Sequence, residues 1–406
     1  MKKINKLPYS SDFFKIDYED RLYGEIKLEK DSLEVMRTKE FRRLYDVSLS
    51  AVPPVSLNMQ CSSRAEHSLG VRHLADILTK RLFDWNDWKL SVNIKFAALL
   101  HDVGSPPFSH LTESFLKDVF GKSHEEWAAD VIVNSALSDI IKKYGGDVAE
   151  VIKNISGQNK PWSDLVNGSL DLDNLDNSLR FGLSMGLLKN KNYDPTGIVE
   201  KIEKRDGKLF LQEEVFEQVR KWDVCRKNVY DFVYGNKNLS SGAMIYRALS
   251  LAYERGELDN DFFGLTDGVA VEYLRNVANK DSQYLVNMAM GGQHYLLVSD
   301  LCYEKNDEDG SYKKKLSHWR FRSDLADKIA QYLSLERKEV CVMAGWDKGV
   351  KNVDWSFVGE DGSEKFFDLK RKPFFYLKVF IDSKNDQLRN VCKPGVGSII
   401  KEISKY

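Results

Sequence analysis

The sequence lacks the features that mark membrane and secreted proteins. No stretch approaches the roughly 18 consecutive apolar residues that a membrane-spanning helix needs. The N-terminus is basic but has no apolar segment behind it, so we expect no secretory signal. Only five cysteines occur, and no two of them form a CxxC pair, which argues against a disulfide framework. These absences favour a cytoplasmic protein without a membrane partner.

An excess of charge of one sign is also absent. Lysine and arginine total 60 and aspartate and glutamate total 61, which gives a formal net charge of −1. This balance excludes a basic field over the whole chain, of the kind that binds nucleic acid or anionic lipid. A balanced net charge does not exclude local basic segments. Those at residues 189–191 and 313–315 could hold an anionic effector or a single-stranded nucleic acid.

Hydrophobic periodicity predicts helices in most of the first 280 residues. Apolar residues recur at helical spacing over 67–82, and the segment 90–101 is apolar on most sides, as in a buried helix. Gly104 and two prolines behind it are expected to end that helix. Further helices are predicted at 125–137 and 170–186. The first part of the chain therefore indicates a helical bundle.

The last third of the chain has a different character. Segments 284–302 and 374–381 are rich in residues that favour strands, and the polar segment 304–315 contains a DG turn signal. We therefore predict a mainly α fold, with a helical domain and its N-terminal entry segment at 1–280. A smaller α+β region is predicted at 281–406.

Five of the seven histidines lie between residues 67 and 124. His101 and Asp102 follow the apolar run FAALL, where an imidazole and a carboxylate are unfavourable unless they are satisfied. Adjacent helical residues point about 100° apart, so this pair can flank one ion. His67 begins another amphipathic helix. Two antiparallel helices could bring His67 beside His101 and Asp102.

A fourth metal ligand could come from the segment GSLDLDNLDN at 168–177. It offers Asp171, Asp173 and Asp176 among leucines, and acids in such surroundings need a cation or strong donors. The alternative is that Asp171 caps a helix and Asp176 is solvated. Two histidines and two carboxylates suit a divalent ion such as Mn, Mg, Fe, Zn or Ni, and do not select among these metals. Such an ion can polarise a phosphoryl oxygen and acidify a bound water.

Four segments of the chain carry the candidate site residues. They are RAEHSLGV at 64–71, HDVGSPPFSHLTE at 101–113, HE at 124–125 and DLD at 171–173. Together they resemble the HD superfamily of metal-dependent phosphohydrolases. Within the superfamily the sequence is similar to the deoxynucleoside triphosphate triphosphohydrolases, which include bacterial dGTPases. The PPFSHLTE extension is the most specific of these motifs.

The resemblance implies a role for particular residues. The metal ligands would be His67, His101, Asp102 and Asp173. The catalytic group beside the phosphates would be His110, Glu113 and His124, and Arg64 would contact phosphate. The family reaction is the attack of water on the α-phosphorus of a dNTP, which gives a deoxynucleoside and inorganic triphosphate. Family members commonly form homo-oligomers, and some need an activating nucleotide.

The segment after Asp173 departs from the family pattern. Asn174 and Asn177 replace a basic residue and a tyrosine that packs on the sugar, so these asparagines are the candidate substrate-binding positions. Phe181 replaces an acidic residue, although Arg180 before it is kept.

Because the positions that would contact the substrate differ from the family pattern, the sequence is compatible with three functions. The first is dNTP hydrolysis. The second is a phosphatase or phosphodiesterase that acts on a cyclic or modified nucleotide. The third is a nucleic-acid or effector-binding protein with a residual metal site, whose binding would survive His101→Ala.

Overall fold

Helices make up most of the fold, as the sequence predicts. The computed structural model describes residues 16–205, 207–304, 315–368 and 371–382. The α-helices used below are α1 (Lys30–Met36), α2 (Lys39–Arg42), α3 (Arg64–Leu82), α4 (Trp88–Leu100), α5 (His110–Phe120), α6 (His124–Val133), α7 (Ala136–Lys143), α8 (Val148–Ile155), α9 (Leu172–Ser184), α10 (Pro195–Val199), α11 (Phe216–Val233), α12 (Asn236–Glu254), α13 (Asp267–Asn276), α14 (Lys280–Met290) and α15 (Trp319–Tyr332).

Helix α3 packs against α4 and α9 in the helical body, and local signals fix its start and its packing. Ser63 and Glu66 form a capping box, in which each side chain accepts a hydrogen bond from the other residue's backbone N–H. Gly70 allows a close approach to α9, because a Cβ at this position would overlap the Asp176 carboxylate. The face of α3 that carries His67 therefore lies directly against α9.

Helix α4 is buried along its second half. Residues 96–100 are inaccessible to solvent, as the apolar run predicted. The helix ends at Leu100, and the chain then turns through Gly104, which packs on the backbone of Ala128. The His-Asp pair therefore sits at a buried helix end rather than on an exposed helical face.

Three small sheets complete the described structure. The strands are β1 (Ile16–Asp20), β2 (Gly24–Leu28), β3 (Ile202–Arg205), β4 (Lys208–Gln212), β5 (Leu296–Glu304), β6 (Val340–Trp346), β7 (Val353–Val358), β8 (Glu364–Phe367) and β9 (Phe374–Ile381). Strands β1 and β2 form a hairpin, and β5, β9 and β6 form an antiparallel sheet in that order. The third sheet has the order β3-β4-β7-β8, with β4 and β7 parallel. The predicted class, mainly α with a smaller sheet region near the C-terminus, is confirmed.

The strand predicted at 284–302 is only partly correct. Its first part forms α14, because Leu285, Val286 and Ala289 recur at helical spacing and are buried. Only the second part forms a strand, β5. The turn signal at 304–315 predicts a loop or hairpin, and this segment falls almost entirely outside the described residues.

The packing of the cores bears on the predicted boundary between 1–280 and 281–406. Val353 and Phe357 of β7 share an apolar core with Leu211 of β4 and with α3 and α4. A second core joins α5, α12 and α14 to β6 and β9. The C-terminal strands therefore pack into the helical body, and the division into two domains stays a prediction. Among the described residues, no helix has the length and apolarity to cross a bilayer.

Candidate active site

Three side chains converge where α3 meets the end of α4. The Nε2 atoms of His67 and His101 lie 3.2 Å apart. Asp102 Oδ2 lies 3.8 Å from the first of these nitrogens and 3.5 Å from the second. One ligand atom from each residue lies within 4.8 Å of the others, so these three could hold a metal ion. Asp173, in the first turn of α9, joins the group through an Oδ1 atom 3.0 Å from His67 Nε2.

Hydrogen bonds on the far side of each imidazole fix which nitrogen faces the group. His67 Nδ1 lies 2.7 Å from Asp176 Oδ1, and His101 Nδ1 lies 2.9 Å from the carbonyl oxygen of Ala98. Both partners accept hydrogen bonds, so each Nδ1 carries the proton and donates. The two Nε2 lone pairs and the Asp173 oxygen then face one another. A proton on His67 Nε2, shared with Asp173, satisfies this arrangement, and so does a divalent cation between the donors. The mixed nitrogen and oxygen donors therefore fit a divalent metal ion.

A buried ion-pair chain supports His67 from behind. Asp176 also accepts hydrogen bonds from Arg180, whose Nη1 lies 2.9 Å from Asp20 Oδ2 on β1. Burial lowers the pKa of His67, but hydrogen bonds to Asp173 and Asp176 outweigh it and raise the pKa to about 9. The surroundings of His67 therefore favour positive charge at this point.

Arg64 lies in the same buried region, at the start of α3. Its Nη1 donates to Asp102 Oδ2 over 2.6 Å, and its Nε donates to Ser109 Oγ over 2.9 Å. Burial raises the pKa of Asp102, but Arg64 outweighs it and holds the pKa well below its usual range. The structure thus shows Arg64 paired with a predicted ligand, and its contact with phosphate stays a prediction.

Asp171 and Asp176, in the segment at 168–177, have different roles in the structure. Asp171 caps α9 by accepting a hydrogen bond from the backbone N–H of Asn174, as the alternative interpretation proposed. Asp176 is fully buried and bonded to His67, so the expectation that it is solvated was wrong. The physical reason is that α9 presents this residue to α3 at the Gly70 contact.

A strained turn presents His110 at the start of α5. Phe108 and Ser109 both have positive φ angles, 63° and 47°, which non-glycine residues rarely adopt. Asp267 Oδ1 accepts a hydrogen bond from the Phe108 N–H, and its Oδ2 accepts one from the Ser48 N–H. These bonds hold the turn, and the surrounding structure therefore sets the position of His110.

The three predicted catalytic residues contact one another. Glu113 Oε2 lies 3.0 Å from His110 Nδ1, and Glu113 Oε1 contacts His124 Nδ1. Burial lowers the pKa of His124, but the hydrogen bond to Glu113 outweighs it and raises the pKa. The His110 side chain is 44% exposed, whereas that of His124 is 26% exposed. His124 is thus the histidine whose surroundings favour the protonated form.

The two candidate substrate-binding asparagines differ in their surroundings. Asn174 is buried, its Nδ2 donates to Asp171 Oδ1, and its Oδ1 accepts a hydrogen bond from Arg226 Nη1 over 2.7 Å. Asn177 is half-buried one helical turn after Asp173. Phe181, a further turn along, is buried against an apolar cluster. The Asn174 side chain is therefore engaged within the protein.

Two lysines from the C-terminal region also reach the site. Lys348 Nζ lies 3.5 Å from Glu113 Oε2, and Lys351 Nζ lies 3.2 Å from Asp171 Oδ2. Neither lysine could be predicted, since both lie in a segment without a recognised motif. Arg226 was also missed as a site residue, and Asp176 was considered as a metal ligand or a solvated acid but not as a partner of His67.

Comparison with known proteins finds a domain model that matches the region of this site. Residues 64–178 match the family model described as HD domain. The uncharacterized protein MJ1154 of Methanocaldococcus jannaschii is 24% identical over 344 residues, which cover 81% of this chain and 67% of that protein. A phosphohydrolase from Bacteroides thetaiotaomicron has the same fold, with a TM-score of 0.66, 19% identity, and coverage of 90% of this chain and 99% of that structure.

A relative of named activity matches a shorter region. The deoxynucleoside triphosphate triphosphohydrolase SAMHD1 homolog of Dictyostelium discoideum is 29% identical over 192 residues. These residues cover 42% of this chain and 37% of that protein, so the likeness spans little more than a third of the relative. The chain thus contains an HD domain, and it is similar to deoxynucleoside triphosphate triphosphohydrolases over part of its length.

Proposed function

We propose that this protein is a metal-dependent phosphohydrolase that cleaves a nucleoside triphosphate, most directly a dNTP, to the nucleoside and inorganic triphosphate. One observation carries the proposal. The group formed by His67, His101 and Asp102 is linked through Arg64 and Ser109 to the turn that presents the catalytic histidine and glutamate. A cation site and an acid–base group therefore share one buried framework.

The chain's own residues have separable roles in this reaction. A divalent ion held by His67, His101, Asp102 and Asp173 would polarise a phosphoryl oxygen and acidify a water molecule. Its identity among Mn, Mg, Fe, Zn and Ni is left open by this mixed set of nitrogen and oxygen donors. Asp176 holds the His67 ring in the tautomer that points Nε2 at the site.

The acid–base group supplies proton transfer. Glu113 favours the protonated form of His124, whose Nε2 lies 3.4 Å from Glu125 Oε1. A proton on this nitrogen would pass to the leaving oxygen when substrate replaces the Glu125 contact. His110 stands at the more exposed end of the group and would orient the phosphate. Both histidines depend on the same carboxylate, so we expect Glu113 to affect the two functions together.

The decisive experiment is a nucleotide panel in the presence of Mn, Mg, Co or Fe, with products separated by anion-exchange chromatography. The wild type is expected to release inorganic triphosphate and a deoxynucleoside. Asp102→Ala should lower turnover by more than about a hundredfold, since losing even a supporting partner of a metal ligand reduces activity about 10–100-fold. Asp139→Ala, on the exposed face of α7, is the matched control.

Other products would support the rival functions. Pyrophosphate, monophosphate or a ring-opened nucleotide would favour a phosphatase or phosphodiesterase for another nucleotide. Absence of turnover with every metal, with and without GTP or dNTP activators, together with nucleic-acid binding that survives His101→Ala, would favour a binding protein.

A further inference from the structure

The loop between β6 and β7, residues 347–352, lies beside the candidate active site; we call it the lysine loop. Its two lysines approach different sides of the site. Lys348 Nζ is 3.5 Å from Glu113 Oε2, on the side of the acid–base group. Lys351 Nζ is 3.2 Å from Asp171 Oδ2, at the start of the helix that carries Asp173. The loop thus places one positive charge on each side of the site.

The backbone of the lysine loop is firmly held. The backbone carbonyl of Lys348 accepts a hydrogen bond from Arg226 Nη2 over 2.6 Å, and its N–H donates to the Tyr234 hydroxyl over 2.7 Å. Gly349 is buried against Tyr230, and a Cβ there would lie only 2.8 Å from the Tyr230 Cβ. Because α11 fixes the loop, the lysines are held near the site by folded structure.

Neither lysine side chain is tightly bound to its present carboxylate partner. The Lys348 side chain is 61% exposed, and its distance to Glu113 exceeds that of a hydrogen bond. The Lys351 side chain is 28% exposed. The Lys348 pair is exposed and therefore weak. Asp171 is buried, but it keeps hydrogen bonds from the backbone N–H groups of Gly168 and Asn174 without Lys351. Each ammonium group can therefore exchange its carboxylate for a phosphate. Both lysines are therefore available to an anionic substrate.

The charge of the site creates a need for such groups. The ligand carboxylates Asp102 and Asp173 and the catalytic Glu113 all carry negative charge, which repels a polyphosphate. Arg64 is bound to Asp102, and Arg226 is bound to Asn174 and to the lysine loop. The lysine loop supplies two further ammonium groups, which take no part in these arginine contacts.

We propose that Lys348 and Lys351 bind the polyphosphate tail of the nucleotide, so that this site selects triphosphates over nucleotides without a tail. The inference rests on the proposed function, because it concerns the substrate of the same site. Lys351 would take the part of the tail nearer α9, and Lys348 the part nearer Glu113. The specificity of the HD domain would then depend on a loop outside residues 64–178.

Lys348→Gln, Lys351→Gln and the double variant test this inference against two substrates. One substrate is a dNTP, and the other is bis(p-nitrophenyl) phosphate, a diester that has no polyphosphate tail. Each single variant should lower kcat/KM for the dNTP about tenfold or more, as expected for losing a hydrogen bond from a charged group. Turnover of the diester should fall by a much smaller factor than turnover of the dNTP. Lys365→Gln, an exposed lysine on β8 that also pairs with a glutamate, is the control.

Binding of inorganic triphosphate, measured by calorimetry at two salt concentrations, separates this inference from the proposed function. We expect the wild type to bind triphosphate more weakly at high salt, and the double variant to bind at least tenfold more weakly at low salt. Equal dNTP turnover and equal triphosphate binding by wild type and double variant would overturn the inference and leave the proposed function intact. A wild type that hydrolyses no nucleotide, yet binds triphosphate through the lysines, would reject only the proposed function. Lys348→Arg and Lys351→Arg should restore binding, which shows that a loss in the glutamine variants is not misfolding.

Discussion

At the scale of single residues, the site depends on how His67 is held. Its ring is inaccessible to solvent, with Asp176 on one nitrogen and Asp173 and His101 on the other. Only the Asp176 bond sets which nitrogen faces the metal group. Asp176 therefore acts through His67, as a positioning residue.

Asp176→Asn should weaken metal binding while keeping most of the packing. The amide cannot stabilise the Nδ1–H of His67 as the carboxylate does, and Arg180 loses a charged partner. We expect metal affinity to fall about 10–100-fold, as for other supporting partners of histidine ligands. Metal titration of the stripped protein measures this, with Asp231→Asn on the exposed face of α11 as the control. Unchanged affinity would show that Asp176 does not orient the ligand.

The pH dependence of turnover tests the acid–base group. Protonated His124 is the acid in this account, so kcat should fall as pH rises through its raised pKa. Glu113→Gln removes the largest of the contributions that raise this pKa, so the descending limb of the pH profile should move to lower pH. A limb that stays in place would mean that another group donates the proton.

The sequence could predict the site residues that belong to a compact motif. His101 and Asp102 are adjacent, and His110 and Glu113 share one turn of α5, so their spacing already implies proximity. Asp176, Lys348 and Lys351 could not be identified in this way. Their roles depend on contacts between segments far apart in the chain, which local spacing does not encode.

At the scale of elements, the turn before α5 is the feature that the sequence predicts least well. Two consecutive residues with positive φ cost about 1–3 kcal/mol each, and neighbouring structure must hold them. Asp267 at the start of α13 accepts one hydrogen bond from the Phe108 N–H in the turn. It accepts a second from the N–H of Ser48, whose carbonyl oxygen accepts a hydrogen bond from the Ser109 hydroxyl. Burial raises the pKa of Asp267 to about 6, although these bonds lower it.

Asp267→Ala should therefore destabilise the protein and reduce its activity. It leaves two backbone donors without their acceptor, at about 1–3 kcal/mol for each buried group. Urea unfolding should show a loss of about 2–6 kcal/mol, and kcat should fall because His110 is displaced. Asp261→Ala, at an exposed position nearby, should leave both unchanged. A stable and fully active Asp267→Ala protein would contradict the role of this turn.

Helices with a strong apolar period were predictable, and their interruptions were not. The segment 67–82 lies within α3, and 170–186 contains α9. The helix predicted at 125–137 is instead divided between α6 and α7, because Ser135 caps a new helix. Hydrophobic periodicity indicates which face of a segment is buried. A single capping residue can end or restart a helix without changing that periodicity.

At the scale of the whole molecule, the predicted boundary near residue 280 can be tested by stability. Phe357 on β7 is fully buried in the core shared with the helical body, whereas Phe366 on β8 is 66% exposed. Phe357→Ala should cost about 3–5 kcal/mol, and Phe366→Ala much less. Since the core crosses the boundary, unfolding followed by fluorescence and by circular dichroism should show one shared transition.

Two separate transitions, with only one of them shifted by Phe357→Ala, would support an independent C-terminal domain. The homo-oligomer, the activating nucleotide and the cytoplasmic location stay predictions at this scale. Each depends on surfaces or partners outside the single chain.

The most direct test of the account is the metal content of the purified protein, measured by plasma mass spectrometry after exposure to Mn and removal of free ions. We expect about one divalent ion per chain in the wild type and a small fraction of that in His101→Ala and Asp173→Ala, because the site forms only with its ligands in place. Equal metal content in the wild type and in both variants, or none in any of them, would contradict the claim that these side chains bind a common cation.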